Sequence, residues 1–182
     1  IQRRTKVTFI YITHDQGEAF TMSDRLAVMS DGAIEQVGNP DVIYNNPSTP
    51  FVASFVGETN TFQGPLSETK GETAVIETPH GPIACRNPRN LAKGEDTIAF
   101  VRPETLSFRN GGPADNTIQC TIANWSFEGA FITIHLEAGN GQNLTMRMSN
   151  RGVDLALEPG KDVMVAFQAD NTLLLPKEGP HA

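Results

Sequence analysis

VTFIYITHDQGEAF, residues 7–20, decides how the first part of the chain is read. Val7–Ile12 is an unbroken β-branched and aromatic run, the pattern of a strand covered on both faces in a parallel α/β sheet. It ends at Thr13-His14-Asp15. Asp15 has the short acceptor side chain of a helix N-cap, and Glu18 follows three residues on as a capping-box partner. The spacing predicts a helix over Gln16–Met22. His14 then stands at the carboxyl end of a strand, just ahead of a helix. Open α/β sheets bind ligands at that end. An imidazole there can hydrogen-bond a phosphate oxygen or an attacking water. A lone histidine after a strand can equally do no more than cap its own loop.

Outward from this segment, Arg25–Ser30 predicts a strand, Asp31-Gly32 a hairpin turn, and Ala33–Val37 the returning strand. Asn39-Pro40-Asp41 reads as a helix start, with the helix stopping before Pro47. Thr49-Pro50 starts another, whose Phe51, Val52, Phe55 and Val56 share a face and which Gly57 can end. From Asn60 the pattern turns all-β. Strands are predicted at 61–66, 73–77, 83–86, 97–102, 117–125, 130–137, 143–148, 162–167 and 172–175, about ten residues apart, as in small barrels or a sandwich. The loop around residues 110–116 divides two β lobes. A weak echo supports them: Leu91-Ala92-Lys93-Gly94-Glu95-Asp96 and Leu157-Glu158-Pro159-Gly160-Lys161-Asp162 each precede a strand.

The chain has 182 residues and a net charge of −7. That size suits one domain or two small ones. The acidic balance argues against nucleic acid as a partner, and no apolar run is long enough to span a bilayer. Cys85 and Cys120 are too few and too far apart for a disulfide framework or a zinc site, and read as reduced core thiols. His80, His135 and His181 show no metal-ligand spacing, so no metal site is expected. Trp125, Phe127, Phe131 and Ile134 are expected in the core. Arg86 and Arg89 sit on a turn that reads as a solvated loop. The sequence begins with Ile, so it is expected to be a piece of something longer. No G-x-x-x-x-G-K-[ST] phosphate loop occurs, and the stretch from Gly64 to Lys70 lacks its second glycine and its spacing.

Residues 7–57 closely resemble the last part of the ATP-binding domain of ABC importers. The landmarks are Thr13-His14-Asp15, Gln16-Gly17-Glu18-Ala19, Ser30-Asp31-Gly32, Gly38-Asn39-Pro40 and the exit from Asn46-Pro47 to Phe55-Val56-Gly57. Residues 58–182 resemble the family's C-terminal TOBE-type regulatory domain, built of two OB-like lobes, on Gly57-Glu58-Thr59-Asn60 at the junction and Phe100-Val101-Arg102-Pro103-Glu104 between the lobes. The purely structural reading of the latter is a turn fixed by Pro103, with Arg102 and Glu104 pairing or capping.

The resemblance implies a mostly β chain. A truncated α/β piece of an ATPase domain, 1–57, would precede a two-lobed OB-like barrel domain, 58–182. It implies that His14 is the switch histidine, which contacts the γ-phosphate of ATP and helps place the attacking water. The metal-binding aspartate, the catalytic glutamate and the signature loop have no counterpart in this sequence. ATP and Mg2+ are therefore expected for a full-length subunit and none bound to this piece, which alone would not hydrolyse ATP. The implied partners are a second ATPase subunit, transmembrane permease subunits and, indirectly, a periplasmic solute-binding protein. The implied place is the cytoplasmic face of the bacterial inner membrane. The junction looks most like the spermidine/putrescine branch; sugar, glycerol-phosphate and iron importers share much of it. A rival reading is a small oxyanion-binding OB-like module, for which Cys85-Arg86-Asn87 is a loose match.

Overall fold

The computed structural model describes residues 7–109, 111–150 and 157–177. His181 and loop residue Asn110 lie outside them. The backbone forms two compact units, Ile1–Pro47 and Ser48–Ala182. This division falls ten residues before the 57/58 boundary expected from the sequence.

In the first unit, α1 (Gln16–Met22) starts where the capping residues place it: Asp15 Oδ1 accepts from Glu18 N at 3.0 Å. β1 (Leu26–Ser30) and β2 (Ala33–Gly38) pair as an antiparallel hairpin. Its turn residues Asp31 and Gly32 have φ of 48° and 81°, as a tight I′ turn demands. α2 (Pro40–Asn45) buries Ile43 completely, and Val28 is the buried residue of β1. Val7–Ile12 forms no strand, which corrects the expectation for that run. Phe9, Ile10, Tyr11 and Ile12 are all exposed. The physical reason is that a doubly covered strand needs neighbours, and no described strand pairs with it.

The second unit opens with α3 (Pro50–Phe55), capped by Thr49, whose Oγ1 accepts from Val52 N at 3.2 Å. The β run then follows: β3 (Asn60–Lys70), β4 (Thr73–Thr78), β5 (Gly81–Arg86), β6 (Asp96–Val101), β7 (Ser107–Phe108), β8 (Asn116–Phe127), β9 (Phe131–Ala138), β10 (Asn143–Ser149), β11 (Asp162–Phe167) and β12 (Thr172–Pro176). Two sheets result: a closed barrel β12-β5-β4-β3-β6 and a five-stranded sheet β10-β9-β8-β11-β7. The chain is thus mostly β with OB-like barrel elements. Among the described residues no helix is long and apolar enough to cross a membrane.

The two lobes are built on one plan. Leu66 in β3 exchanges hydrogen bonds with Gly94 N (2.8 Å) and Glu95 O (3.0 Å). Ile122 in β8 does the same with Gly160 N (2.8 Å) and Lys161 O (2.9 Å). These are the two turns of the sequence echo, and each sits beside a bulge in the neighbouring ladder. The lobes exchange their last strands. β7 leaves β6 through a 3-10 turn and pairs with β11, while β12 leaves β11 through another and pairs with β6. The loop at 110–116 therefore divides the chain order but not the sheets.

One core runs through both lobes, with the rings of Phe62 and Phe167 stacked 5.7 Å apart. Burying each ring stabilises the unit by about 1.5–3 kcal/mol. β6 and β12 are covered on both faces. Ala99, Val101 and Leu174 face this core, whereas Phe100, Leu173 and Leu175 form a second cluster with Ala53 of α3. That double cover explains the unbroken apolar run in β12.

Each lobe also clamps the other with an asparagine. Asn60 Oδ1 accepts from Thr145 N at 2.7 Å and its Nδ2 donates to Thr145 O at 2.8 Å. Asn116 holds Ala84 in the same way, at 2.7 and 2.9 Å. A side-chain amide here takes the part of a paired backbone on an edge strand. Both asparagines are buried. Asn60→Ala or Asn116→Ala is expected to cost about 1–3 kcal/mol, because each leaves a strand N–H and C=O unpaired. Urea denaturation of the single and double variants would measure this. A cost below a few tenths would mean that water replaces the clamp.

Candidate functional site

His14 lies exposed in the loop ahead of α1. Its neighbours hold that loop among themselves. Asp15 N donates to Thr13 Oγ1 (3.0 Å). Thr13 Oγ1 and Tyr11 Oη donate to Glu18 Oε2 (3.3 and 3.2 Å). Glu18 N donates to Asp15 Oδ1 (3.0 Å). The imidazole takes no part in this network. Asp15 and Glu18 are tied up in the loop and serve it. Among the described residues no three His, Cys, Asp or Glu side chains group as metal ligands.

In the second unit a shallow open cleft of about 360 Å3 is lined by Thr, Asn and Gln side chains from 59–63 and 142–143, with Pro79. Gln142 bridges it, donating to Thr61 O at 2.7 Å and placing Oε1 2.8 Å from His80 Nε2. No charged side chain lines the cleft, so an oxyanion would find no cation there. The buried Asn87 amide is spent on Leu91 N and O, both at 3.0 Å.

Arg102 does more than shape its turn. Its Nη1 lies 3.2, 3.0 and 3.2 Å from the carbonyl oxygens of Ala53, Gly57 and Glu58. These carbonyls include ends that α3 cannot satisfy itself, and a cation at a helix C-terminus is favourable. The sequence reading of pairing or capping did not extend to a helix some 50 residues away.

Trp125, Phe127 and Phe131 are exposed by 43%, 61% and 45%, which corrects the expectation that they fill the core; Ile134 is fully buried. They sit where the β8–β9 hairpin runs on past its cover. Trp125 Nε1 donates to Leu157 O (2.8 Å), and Arg147 lies over the Phe131 ring and bonds Glu128 at 2.6 Å. The hydrogen bonds from Arg147 and Thr133 lower the Glu128 carboxyl pKa, and the Glu128 bond raises that of Arg147. This is a solvent-screened surface pair of small energetic weight.

Cys85 and Cys120 are buried thiols, as expected. Burial pushes Cys85 from 9.0 up to about 12 and Cys120 up to about 11. The unfolded chain would ionise both near pH 9 while the folded one keeps its protons. Their contribution to stability is full below pH 9 and is lost as pH rises through 11 and 12. The urea midpoint should fall between pH 8 and about 10.5 more steeply in the native sequence than in a Cys85→Ala/Cys120→Ala variant. Equal slopes would contradict this.

Residues 99–175 match the TOBE domain family. The matched residues begin inside β6 and end inside β12, the strands that bracket the lobe exchange. Beyond them, the chain is 40% identical over 178 residues to the spermidine/putrescine import ATP-binding protein of Rubrobacter xylanophilus, covering 96% of this chain and 47% of that one. It is 37% identical to an Fe(3+) ions import ATP-binding protein of Rhizobium meliloti, covering 97% of this chain and 47% of the relative. The chain thus resembles the C-terminal half of ABC import ATP-binding subunits, and spans about half the length of the curated relatives it matches. A solved structure of the cytoplasmic molybdate-binding protein ModG superposes with a TM-score of 0.56 at 20% identity, covering 63% of this chain and 94% of that one. That likeness shows the fold alone.

Proposed function

We propose that this chain is part of the ATP-hydrolysing subunit of an ABC importer, with spermidine or putrescine as the transported solute. The observation that carries the reading is the 40% identity to a spermidine/putrescine import ATP-binding protein across 96% of the chain. Residues 1–57 then end the ATPase domain, and 58–182 form its regulatory and dimerising extension. The subunit acts at the cytoplasmic face of the inner membrane, as a pair docked on permease subunits, with a periplasmic binding protein presenting the solute.

ATP with Mg2+ supplies the phosphoryl group and the charge neutralisation when bound. This chain's own contribution is His14. Its imidazole hydrogen-bonds the terminal phosphate and holds the attacking water in line, the positioning on which phosphoryl transfer depends. The Thr13–Asp15–Glu18 network holds the loop so that the ring is presented. The phosphate loop and the catalytic glutamate would come from sequence outside this chain.

The test is to reconstitute the full-length subunit with its permease and binding protein and measure ATP turnover with spermidine, putrescine, a sugar or ferric iron. Stimulation by the polyamines alone supports the reading. Stimulation by iron or sugar keeps the importer and changes the solute. No ATP turnover under any condition overturns it.

A further inference from the structure

We propose that α3 is held rigid with the β unit rather than with the segment before it, with Arg102 as the clasp. By sequence α3 belongs to the ATPase-like segment, and the natural hinge would be the glycine that follows it, Gly57. Three observations join α3 to the β unit instead. The compact units separate at Pro47/Ser48. The side chains of Val52, Ala53 and Val56 are buried, and Ala53 joins Phe100, Leu173 and Leu175 on the outer face of β6 and β12. The Arg102 guanidinium then draws together Ala53 O, Gly57 O and Glu58 O, spanning the very bend that a hinge at Gly57 would need to open.

The position of Arg102 gives the clasp its reach. It follows β6 directly and precedes the 3-10 turn Pro103–Thr105, where the chain crosses from the barrel to the other lobe. A shift of one lobe against the other is thereby felt at the carbonyls that end α3. A short helix is marginal by itself. Docked apolar contacts and a planar cation with several donors make it rigid with the barrel. The inference does not depend on which solute is carried, or on whether the subunit hydrolyses ATP.

Amide hydrogen exchange on the chain, resolved by residue, tests it. Ala53 N and Val56 N are bonded within α3, and Ile43 N and Asn46 N within α2. The α3 amides should exchange in the slow class of β6, and the α2 amides in a faster class of their own. In Arg102→Met, protection of Ala53 and Val56 should fall about tenfold while that of β9 holds. Arg102→Lys, which keeps the charge but loses the fork, should fall between. The proposal is overturned if α3 exchanges with α2 in the native chain. It is also overturned if Arg102→Met lowers protection uniformly across the β unit, the result expected of a plain stability residue. Should Arg102→Met fail to fold, the Arg102→Lys comparison decides in the same way.

Discussion

His14→Ala in the full-length subunit is expected to lower ATP turnover about 100-fold, the scale of removing one placed stabilising group. His14 ends no hydrogen-bond chain in its own loop; Tyr11, Thr13, Asp15 and Glu18 hold that loop without it. Truncating the imidazole therefore removes the group and leaves its mounting. The melting temperature and the affinity for ATP should stay close to native, so that the loss lies in kcat. His14→Gln, which can still donate one hydrogen bond, should recover part of it. Turnover within threefold of native in the alanine variant would remove His14 from the chemistry and leave it as a loop residue.

Gly64→Ala is expected to destabilise the β unit by about 3 kcal/mol or more, lowering its melting temperature by about 10 °C. A Cβ at position 64 would stand 1.8 Å from Glu77 O and 2.8 Å from Glu77 C. Both are backbone atoms of β4, so no rotamer change relieves the clash. Strands β3 and β4 approach closely just before the bulge between Leu66 and Glu68, and Gly64 O also accepts from the buried Thr97 hydroxyl at 2.8 Å. Moving β3 away would break that bond as well. Gly112→Ala is the control, because nothing lies within 4 Å of its Cβ position and its φ is not left-handed. Thermal melts of the chain should show Gly112→Ala near native and Gly64→Ala far below it. Equal melts would mean that the ladder slides at no cost.

Much of this fold was legible because its signals are local. Asp15, Asp31-Gly32, Pro40 and Thr49-Pro50 act within a few residues of themselves, and α1, the first hairpin, α2 and α3 follow them closely. Alternating runs and turn glycines located β3 to β6 and β8 to β12 for the same reason, whereas the two-residue β7 was too short to carry a pattern. What failed depended on distant chain. Val7–Ile12 has the composition of a covered strand, but cover is a property of neighbours. Trp125 and Phe127 have core composition, yet β8 outruns its cover. Strand exchange has no local signature, since β7 and β12 would read alike in either pairing. Asn60 and Asn116 look like ordinary strand-start residues until the opposite lobe is in place. The candidate site was legible only as His14 and its capping loop, through resemblance to a family. Arg102 was visible as part of a turn, and its grip on α3 was not.

The exchanged strands set an order on the birth of the protein. The barrel that begins at Asn60 is closed by β12, whose Pro176 pairs with Thr97. A ribosome releasing this chain from its N-terminal side therefore exposes β3 to β6 long before the strand that seals them is made. The first lobe must wait as an open sheet, with the edges of β5 and β6 that β12 pairs left free, through the synthesis of the entire second lobe. Pairings so distant in sequence form slowly, and an uncovered apolar sheet is the state most prone to stick to other chains. A proteolytic cut just before Thr172 would leave the barrel unclosed, because Thr172–Pro176 completes a structure that was begun more than a hundred residues earlier.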